Sequence, residues 1–166
     1  TWLRRQRQMC IRDRAEAELD KAIVTAKQFP REISTVHQNI LSLATLDEET
    51  ANDCVYALPR GGKPIKGPSV RLAEIIASQY GNCHIGSRIV DIDRFEKVVV
   101  AEGVFWDLET GTRRTNQVRR RISGSDGRIF NDDMIIVTGN AAASIAVRNA
   151  ILAGIPKALW NGAYKA

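Results

Sequence analysis

The sequence predicts one α+β domain, in which helices are followed by a three-stranded antiparallel meander and a long helix packed on it. Three patterns support this fold class: helical apolar spacing over 15–57, strand-forming residues around a polar turn over 83–122, and a run of small residues over 133–155. With 166 residues, 44% of them hydrophobic, the chain is long enough to form a real core. We therefore expect a single domain with a helical part over 15–57 and a βββα core over 58–166.

The first part of the chain predicts three helices. Apolar residues recur at helical spacing over Ala15–Phe29, which ends at Pro30, and again over Ile33–Leu43. Asp47 is an N-cap residue type for a third helix running to Leu58. Residues 15–57 carry 3 basic and 8 acidic side chains, and nothing in them suggests chemistry.

A glycine- and proline-rich loop over Pro59–Pro68 (PRGGKPIKGP) follows these helices. Its basic side chains are Arg60, Lys63 and Lys66. Such a loop can bind phosphate through backbone N–H groups, but this one lacks the G-x-x-x-x-G-K-[ST] spacing of a nucleotide-binding loop. A basic loop lying on a polyanion and a plain connector both fit the pattern. Ser69 then caps a predicted helix over Val70–Tyr80, which carries Arg71 in its first turn.

Three strands are expected next, the first over Cys83–Phe95 and two more in a hairpin over Glu96–Ile122. The second hairpin arm contains five arginines. Strand alternation places on one face Arg113, Thr115, Gln117, Arg119 and Arg121. It places on the other face Arg114, Asn116, Val118, Arg120 and Ile122. Arginines in this number fit either a solvated edge strand or a surface that binds phosphate.

A final long helix is expected over about Asp133–Ile155, capped by Asn131 or Asp132. Its small side chains would allow close approach to the sheet. A polar stripe spaced by four residues interrupts the apolar surface: Asn140, Ser144 and Arg148. This stripe is either a capping or salt-bridge network or a ligand-facing stripe under the sheet.

Net charge needs a correction before it can indicate a partner. The formal charge is +5, but residues 1–14 alone hold five arginines and one acid. Met9–Arg14 (MCIRDR) resembles the translation of a transposase adapter end used in sequencing libraries. We therefore expect residues 1–14 to be a sequencing artefact outside the fold, and the chain to be truncated at both ends; a basic nucleic-acid-binding arm is the other interpretation. The remaining positive charge is concentrated in residues 58–128, with 13 basic and 8 acidic side chains.

Compartment and metal content follow from a few residues. We find no apolar run long enough to cross a bilayer and no signal peptide. Once Cys10 is set aside, Cys54 and Cys83 fit a reducing cytosol, which predicts a cytoplasmic protein. Cys83 and His84 are adjacent, but no second ligand pair has zinc spacing, so we expect no metal and no cofactor.

The order of elements from Ser69 resembles the core of phage single-strand annealing recombinases, the RecT, Red-beta and Erf group. The resemblance covers roughly residues 58–160. It rests on GPSVRLAEIIASQYGN, on a D-L-E-T-G hairpin turn and on A-x-R-N-A-I-x-x-x-I-P-K over Ala146–Lys157. The chain resembles even more closely uncharacterised phage-type proteins that share GPSVRLAE and TGNAAASIAVRNA.

This resemblance implies a noncatalytic protein that binds single-stranded DNA and anneals complementary strands without ATP in phage-type recombination. It implies a homo-oligomer in the host cytoplasm, with a phage exonuclease or single-strand-binding protein as partner. The expected DNA contacts are Arg60, Lys63, Lys66, Arg71, Arg113, Arg114, Arg119, Arg120, Arg121 and Arg148. Asn140 and Ser144 would support them. Only three aromatic residues lie near this track: Tyr80, Phe105 and Trp106. With so few stacking partners, the bases would remain free to pair.

Two other functions fit parts of the sequence. A metal-dependent nuclease would use the carboxylates of Asp91, Asp93, Asp107 and Glu109. However, acids are common at hairpin turns for local reasons, and no E-x-K follows Asp91 at nuclease spacing. A noncatalytic phage assembly or regulatory protein would need the arginines only as charges on an edge strand.

Overall fold

The computed structural model describes residues 1–166 and confirms the predicted α+β fold with its βββα unit. A short 3-10 helix, Lys157–Leu159, precedes the last α-helix. The other elements in chain order are α1 (Trp2–Gln28), α2 (Ile33–Ala44), α3 (Glu48–Asp53), β1 (Val55–Leu58), β2 (Ile65–Pro68), α4 (Val70–Tyr80), β3 (Cys83–Asp93), β4 (Val98–Asp107), β5 (Arg113–Arg121), α5 (Asp132–Gly154) and α6 (Asn161–Lys165).

Helix α1 begins well before the predicted position. Residues 2–14 continue the helix without a break, since they include no glycine or proline and are rich in helix-forming Arg and Gln. Every residue from 1 to 18 is exposed. The predicted apolar side of this helix is the covered one: Leu19, Ala22 and Ile23 are half-buried and Ala26 is buried.

The predicted third helix is too long. Asp47 caps α3 by accepting a hydrogen bond from the Thr50 N–H at 2.7 Å, but the helix ends at Asp53. The following residues form β1, which pairs with β2 in an antiparallel hairpin from Val55↔Pro68 to Leu58↔Ile65. The predicted loop over Pro59–Pro68 is therefore a turn plus a strand. Gly61 and Gly62, both at positive φ, allow the chain to reverse there.

The main sheet has the strand order β3-β4-β5, and both pairs are antiparallel. The β4–β5 register runs from Val98↔Arg121 to Trp106↔Arg113. The β3–β4 register shifts between Ile89 and Asp91, which leaves Val90 as a bulge.

One face of the sheet packs against α5. On β4 this face carries Val99, Ala101, Gly103 and Phe105, all buried. Helix α5 turns small residues toward it, since Gly139, Ala142 and Ala146 are buried. A Cβ at Gly103 would collide with the backbone of Ala146, and one at Gly154 with the ring of Phe105. The backbones of α5 and β4 can therefore approach closely, because both elements have glycine or alanine at the contact.

Two buried clusters stabilise this arrangement. The larger joins α2, α4, the C-terminal half of α5 and α6, with Ile40, Leu72, Ile76, Phe105 and Ile151 at its centre. The smaller lies between the sheet and the N-terminal half of α5. Because α5 and β4 contribute to both clusters, they form the frame that holds the sheet against the helices.

Helix α5 corrects one expectation. By length and composition alone, Asp132–Gly154 is apolar enough to cross a bilayer, whereas the sequence suggested no such segment. Core helices of globular domains satisfy the same criterion, and α5 supplies buried residues to both clusters.

Candidate nucleic-acid interface

The five arginines of β5 lie on an exposed edge strand. Each side chain is exposed, and none of the five lies within 4.0 Å of a carboxylate oxygen. They are Arg113, Arg114, Arg119, Arg120 and Arg121. Their charge is therefore directed to solvent and not neutralised within the fold.

The register divides these arginines between two surfaces. Residues paired across an antiparallel sheet share a face, so Arg113, Arg119 and Arg121 lie with Trp106, Val100 and Val98 on the side away from α5. We call this side the open face. Its members are His84, Gly86, Arg88, Asp91, Asp93, Val98, Val100, Glu102, Val104, Trp106, Arg113, Thr115, Gln117, Arg119 and Arg121. The predicted alternation along β5 is thus confirmed.

The remaining two arginines of the strand face α5. Arg114 pairs with Phe105 and Arg120 with Val99, both of which point toward the helix. Between them Asn116 accepts a hydrogen bond from Asn149 Nδ2 of α5 at 3.3 Å. These side chains therefore border the helix side of the β5 edge.

Arg148 connects that edge to the β1–β2 hairpin. Its guanidinium donates to Asn149 Oδ1 at 3.0 and 3.1 Å and lies 4.9 Å from the centre of the Tyr56 ring. The contact sequence Asn116, Asn149, Arg148 and Tyr56 brings the arginine strand and the hairpin to one side of α5. The hairpin carries three exposed basic side chains: Arg60, Lys63 and Lys66.

Three further predicted residues lie on α4 and α5 and not on β5 or the hairpin. Arg71 forms an exposed ion pair with Glu74 on α4 at 3.0 Å. Asn140 and Ser144 are exposed on α5, away from the buried side formed by Gly139, Ala142 and Ala146. Asn140 and Ser144 form no salt bridge or capping bond and do not lie under the sheet, whereas Arg148 of the same stripe donates to Asn149. The helix turns by about 100° per residue, which separates positions 140 and 144 from the sheet-facing stripe.

A hydrogen-bonded set crosses the middle of the open face. Arg88 donates to Glu102 Oε1 at 3.0 and 3.2 Å, and Gln117 Nε2 donates to Oε2 at 3.2 Å. These bonds, first from Gln117 and then from Arg88, hold the pKa of Glu102 below its ordinary value. The central carboxylate of this face is therefore already occupied by neighbours, and Arg113, Arg119 and Arg121 remain available.

A groove of about 680 Å³ lies between α1 and the open face, at the end of the sheet nearest the β4–β5 turn. Ala15, Leu19 and Ala22 of α1 form one side. Residues of the sheet form the other, including His84, Arg88, Glu102, Val104, Trp106 and Arg113. Of the three aromatic residues noted in the sequence, only Trp106 is accessible here, because Tyr80 and Phe105 are buried in the core.

Arg31 holds the segment after α1 against the end of the sheet, a role that no sequence pattern indicated. Its guanidinium lies 2.8 Å from oxygens of both Asp107 and Glu109, and its side chain is only 8% exposed. It also donates to the carbonyl oxygens of Tyr80 and Gly81 and stacks 3.7 Å from the centre of the Tyr80 ring. The D-L-E-T-G turn is the one sequence feature that could have indicated this role, because its buried acid needs a cation. That cation, Arg31, lies 76 residues before Asp107.

This cluster shifts several pKa values. Burial opposes ionisation of Asp107, but hydrogen bonds from Arg31, the Glu109 N–H and Tyr80 outweigh it and hold the pKa below its ordinary value. Burial, together with the hydrogen bond to Asp107, raises the pKa of Tyr80 to about 12. Burial disfavours the charged form of Arg31 and so opposes a raised pKa. The hydrogen bond to Asp107 and the nearby charges outweigh it, and the pKa of Arg31 is raised.

The carboxylates of the nuclease hypothesis do not converge. Asp107 and Glu109 bind Arg31, whereas Asp91 and Asp93 lie on the open face. No group of three His, Cys, Asp or Glu side chains is close enough to hold a metal ion. Burial raises the pKa of Cys83 to about 11, which leaves this thiol protonated and a weak nucleophile near neutral pH.

Comparison with known proteins identifies no relative of this chain. The chain matches no protein-family model, no curated protein and no solved structure.

Proposed function

We propose that this protein binds single-stranded DNA and anneals complementary strands without ATP, as part of phage-type homologous recombination. The observation that carries the proposal is the edge strand β5, with five exposed arginines that have no carboxylate partner. Arginine suits phosphate because its planar guanidinium can donate two hydrogen bonds at once. Thr115 and Gln117 lie between the open-face arginines and add polar groups to the same row.

The basic hairpin favours a continuous track over an isolated charged edge. Arg148 lies between Tyr56 of the hairpin and Asn149, which binds Asn116 of β5. A strand that leaves the β5 edge on the α5 side would therefore meet Arg148 next, followed by the basic residues of the hairpin. Such a backbone-following track binds phosphates without reading the base sequence.

The proposal extends to the assembly and the setting of the protein. Annealing requires many binding units along one strand, so we propose a homo-oligomer that acts in the cytoplasm of the host cell. A phage exonuclease or single-strand-binding protein would supply or hold the DNA.

The first experiment measures binding and annealing with the full chain. Anisotropy of a labelled thymidine oligonucleotide, titrated at several salt concentrations, gives the affinity and its salt slope. Annealing of two complementary oligonucleotides, followed without ATP, gives the activity. We expect salt-dependent binding and an annealing rate above that of the naked strands. An unchanged annealing rate at low salt contradicts the proposal.

Paired variants identify the surface that contacts phosphate. Each lost phosphate contact lowers the salt slope by about 0.7 for single strands, so Arg119→Ala with Arg121→Ala should lower it by roughly 1.4. The matched pair Arg114→Ala with Arg120→Ala removes the same charge from the α5 side of the same strand. Lys157→Ala with Lys165→Ala removes it from the exposed C-terminal segment and is the control. Equal effects of all three pairs would indicate general attraction of charge instead of a track.

One observation favours the assembly or regulatory alternative. β5 is an edge strand, and charged side chains on an edge prevent unwanted strand pairing. Under that alternative, replacing Arg119 and Arg121 by Thr would promote self-association and leave DNA binding unchanged. Sedimentation of the variant, measured beside the anisotropy titration, separates the two functions.

A further inference from the structure

We infer that Trp106 is a stacking platform for one nucleobase of the bound strand, inside the groove between α1 and the open face. This inference rests on the proposed function and adds to it a base contact, where the sequence suggested that bases would be left free.

Trp106 lies in the centre of a row across three strands. His84 of β3 and Arg113 of β5 are its direct partners in the register. Neighbouring strands are about 4.8 Å apart, so the imidazole and the guanidinium flank the indole on the same face. Trp106 is half-buried, and it is the only Phe, Tyr or Trp on the open face.

The groove has the size and the lining that a planar ring requires. Its volume of about 680 Å³ falls within the range of roughly 300–1,000 Å³ that small-molecule sites occupy. Ala15, Leu19 and Ala22 of α1 present small and aliphatic side chains opposite the sheet, beside Val104 and Leu108. A flat ring inserted between these two sides would be covered on both faces.

The charges around the groove favour a ring that carries a phosphate. Arg113 lines the groove and lies within 4.0 Å of no carboxylate oxygen. Two carboxylates also line it: Glu18 of α1 is paired with Arg14 at 2.9 Å, and Glu102 is bonded to Arg88 and Gln117. An anion attached to the ring would therefore find a free cation next to Trp106. Arg119 and Arg121 lie on the same face of β5, roughly 20 Å or more further along, and would meet phosphates several nucleotides away. An aromatic platform followed by a row of cations fits a nucleotide within a strand.

The segment at Arg31 keeps the groove in place. Arg31 is the third residue after α1, and it binds Asp107 and Glu109, which are one and three residues after Trp106. The C-terminal end of α1 is thus fixed to the same end of the sheet as the groove, and its distance from Trp106 is set by a buried ion pair.

The decisive experiment uses the unaltered full chain. Binding of a thymidine oligonucleotide is compared with binding of an abasic oligonucleotide of the same length, which keeps every phosphate and lacks the bases. Stacking on one aromatic side chain contributes about 1–3 kcal/mol, which corresponds to roughly 5- to 150-fold in affinity. We expect the abasic strand to bind more weakly by that factor, with an unchanged salt slope. Equal affinity for the two strands overturns the inference.

Variants then assign the contact to Trp106. Trp106→Leu should weaken binding of the thymidine strand by roughly 5- to 150-fold and leave the abasic strand unaffected. Trp106→Phe retains a ring and should bind within a few fold of the wild type, which also separates lost stacking from lost folding. Strand binding should quench tryptophan emission in the wild type and in Trp2→Phe, the control at an exposed indole, but not in Trp106→Phe. Quenching that persists in Trp106→Phe contradicts the assignment.

Two controls separate this inference from the proposed function. If the wild type binds no single-stranded DNA, the proposed function fails, and the inference fails with it. If it binds both strands equally, only the inference fails. Thymidine monophosphate is titrated at the same nucleotide concentration, and weak quenching by it is expected because it lacks the neighbouring phosphates. Quenching as strong as that by the oligonucleotide would identify a free nucleotide as the occupant and overturn the strand as its source.

Discussion

The guanidinium of Arg31 donates to both carboxylate oxygens of Asp107, at 2.8 and 3.0 Å. Asp107 is the only charged residue among the buried residues of the chain, at 3% exposure. The pair is 76 residues apart in sequence and joins the segment between α1 and α2 to the β4–β5 turn. Tyr80 completes it by donating its hydroxyl to Asp107 Oδ2 at 3.0 Å.

Removing the Arg31 side chain should strongly destabilise the fold. Arg31→Ala leaves Asp107 buried without its cation, and loss of one partner of a buried pair typically lowers the free energy of unfolding by about 3–5 kcal/mol. Arg94→Ala is the control, because Arg94 pairs with Asp132 at 3.2 Å with both side chains exposed. Exposed pairs contribute less than about 1 kcal/mol. Urea denaturation of both variants measures the difference, and similar losses would show that Arg31 has no special role.

The same cluster predicts how stability depends on pH. The pKa of Asp107 is lower in the folded protein than its ordinary value of 3.8. A carboxyl with a depressed folded-state pKa stabilises the fold above its unfolded pKa, and this stabilisation is lost as the pH falls through the folded value. The difference in unfolding free energy between wild type and Asp107→Asn should therefore have its largest value at pH 6 and decrease below about pH 4. Urea titrations across this window test it, with Asp126→Asn as a control in an exposed loop. A difference that stays constant down to about pH 2 would contradict the assignment.

Close approach of β4 and α5 predicts a severe effect at one glycine. A Cβ at Gly103 would overlap the backbone of Ala146, which cannot move without the whole helix. We expect Gly103→Ala to lower the free energy of unfolding by about 1–3 kcal/mol or more, as overpacking does. Gly86→Ala is a matched control on β3, since nothing lies within 4 Å of its Cβ position. Thermal melts of both variants should show a large shift only at position 103.

Deletion of residues 1–14 should affect stability little. All of these residues are exposed, and the ion pairs in this segment, Arg12–Glu16 and Arg14–Glu18, lie within α1. Exposed i,i+4 pairs contribute only a few tenths of a kcal/mol, so the melting temperature should change by less than about 2 °C. The deletion also removes five arginines. If binding to single-stranded DNA disappears with them, the basic-arm interpretation of this segment is correct and the β5 track is not needed.

The elements that could be predicted are those whose signal is local. Ser69 caps α4 by accepting from the Leu72 N–H at 3.3 Å, and α4 and the sides of β5 follow the predicted periodicity. The β1–β2 hairpin was missed because the acidic N-terminus of α3 favours a helix. The apolar residues after Asp53 do not indicate where such a helix stops.

The parts of the site that escaped prediction depend on distant contacts. Arg31 gains its role from a turn 76 residues away, and no periodic pattern connects the two. The position of Trp106 on the open face follows from alternation, but the groove exists only because α1 lies opposite it. Periodicity assigns a side chain to a face, whereas only packing decides what covers that face.

The bulge at Val90 constrains how β3 can vary in length. Without it, alternation from Ile85 and Ile89 would direct Asp91 and Asp93 into the α5 interface and turn Ile92 to solvent. The extra residue resets the alternation, so Ile92 pairs with Val99 on the α5 side of the sheet, where it is 45% exposed, and both acids lie on the open face. Loss of one residue here would replace an isoleucine by two carboxylates on the α5 side of β3. Insertions and deletions in this strand should therefore be tolerated only in steps of two.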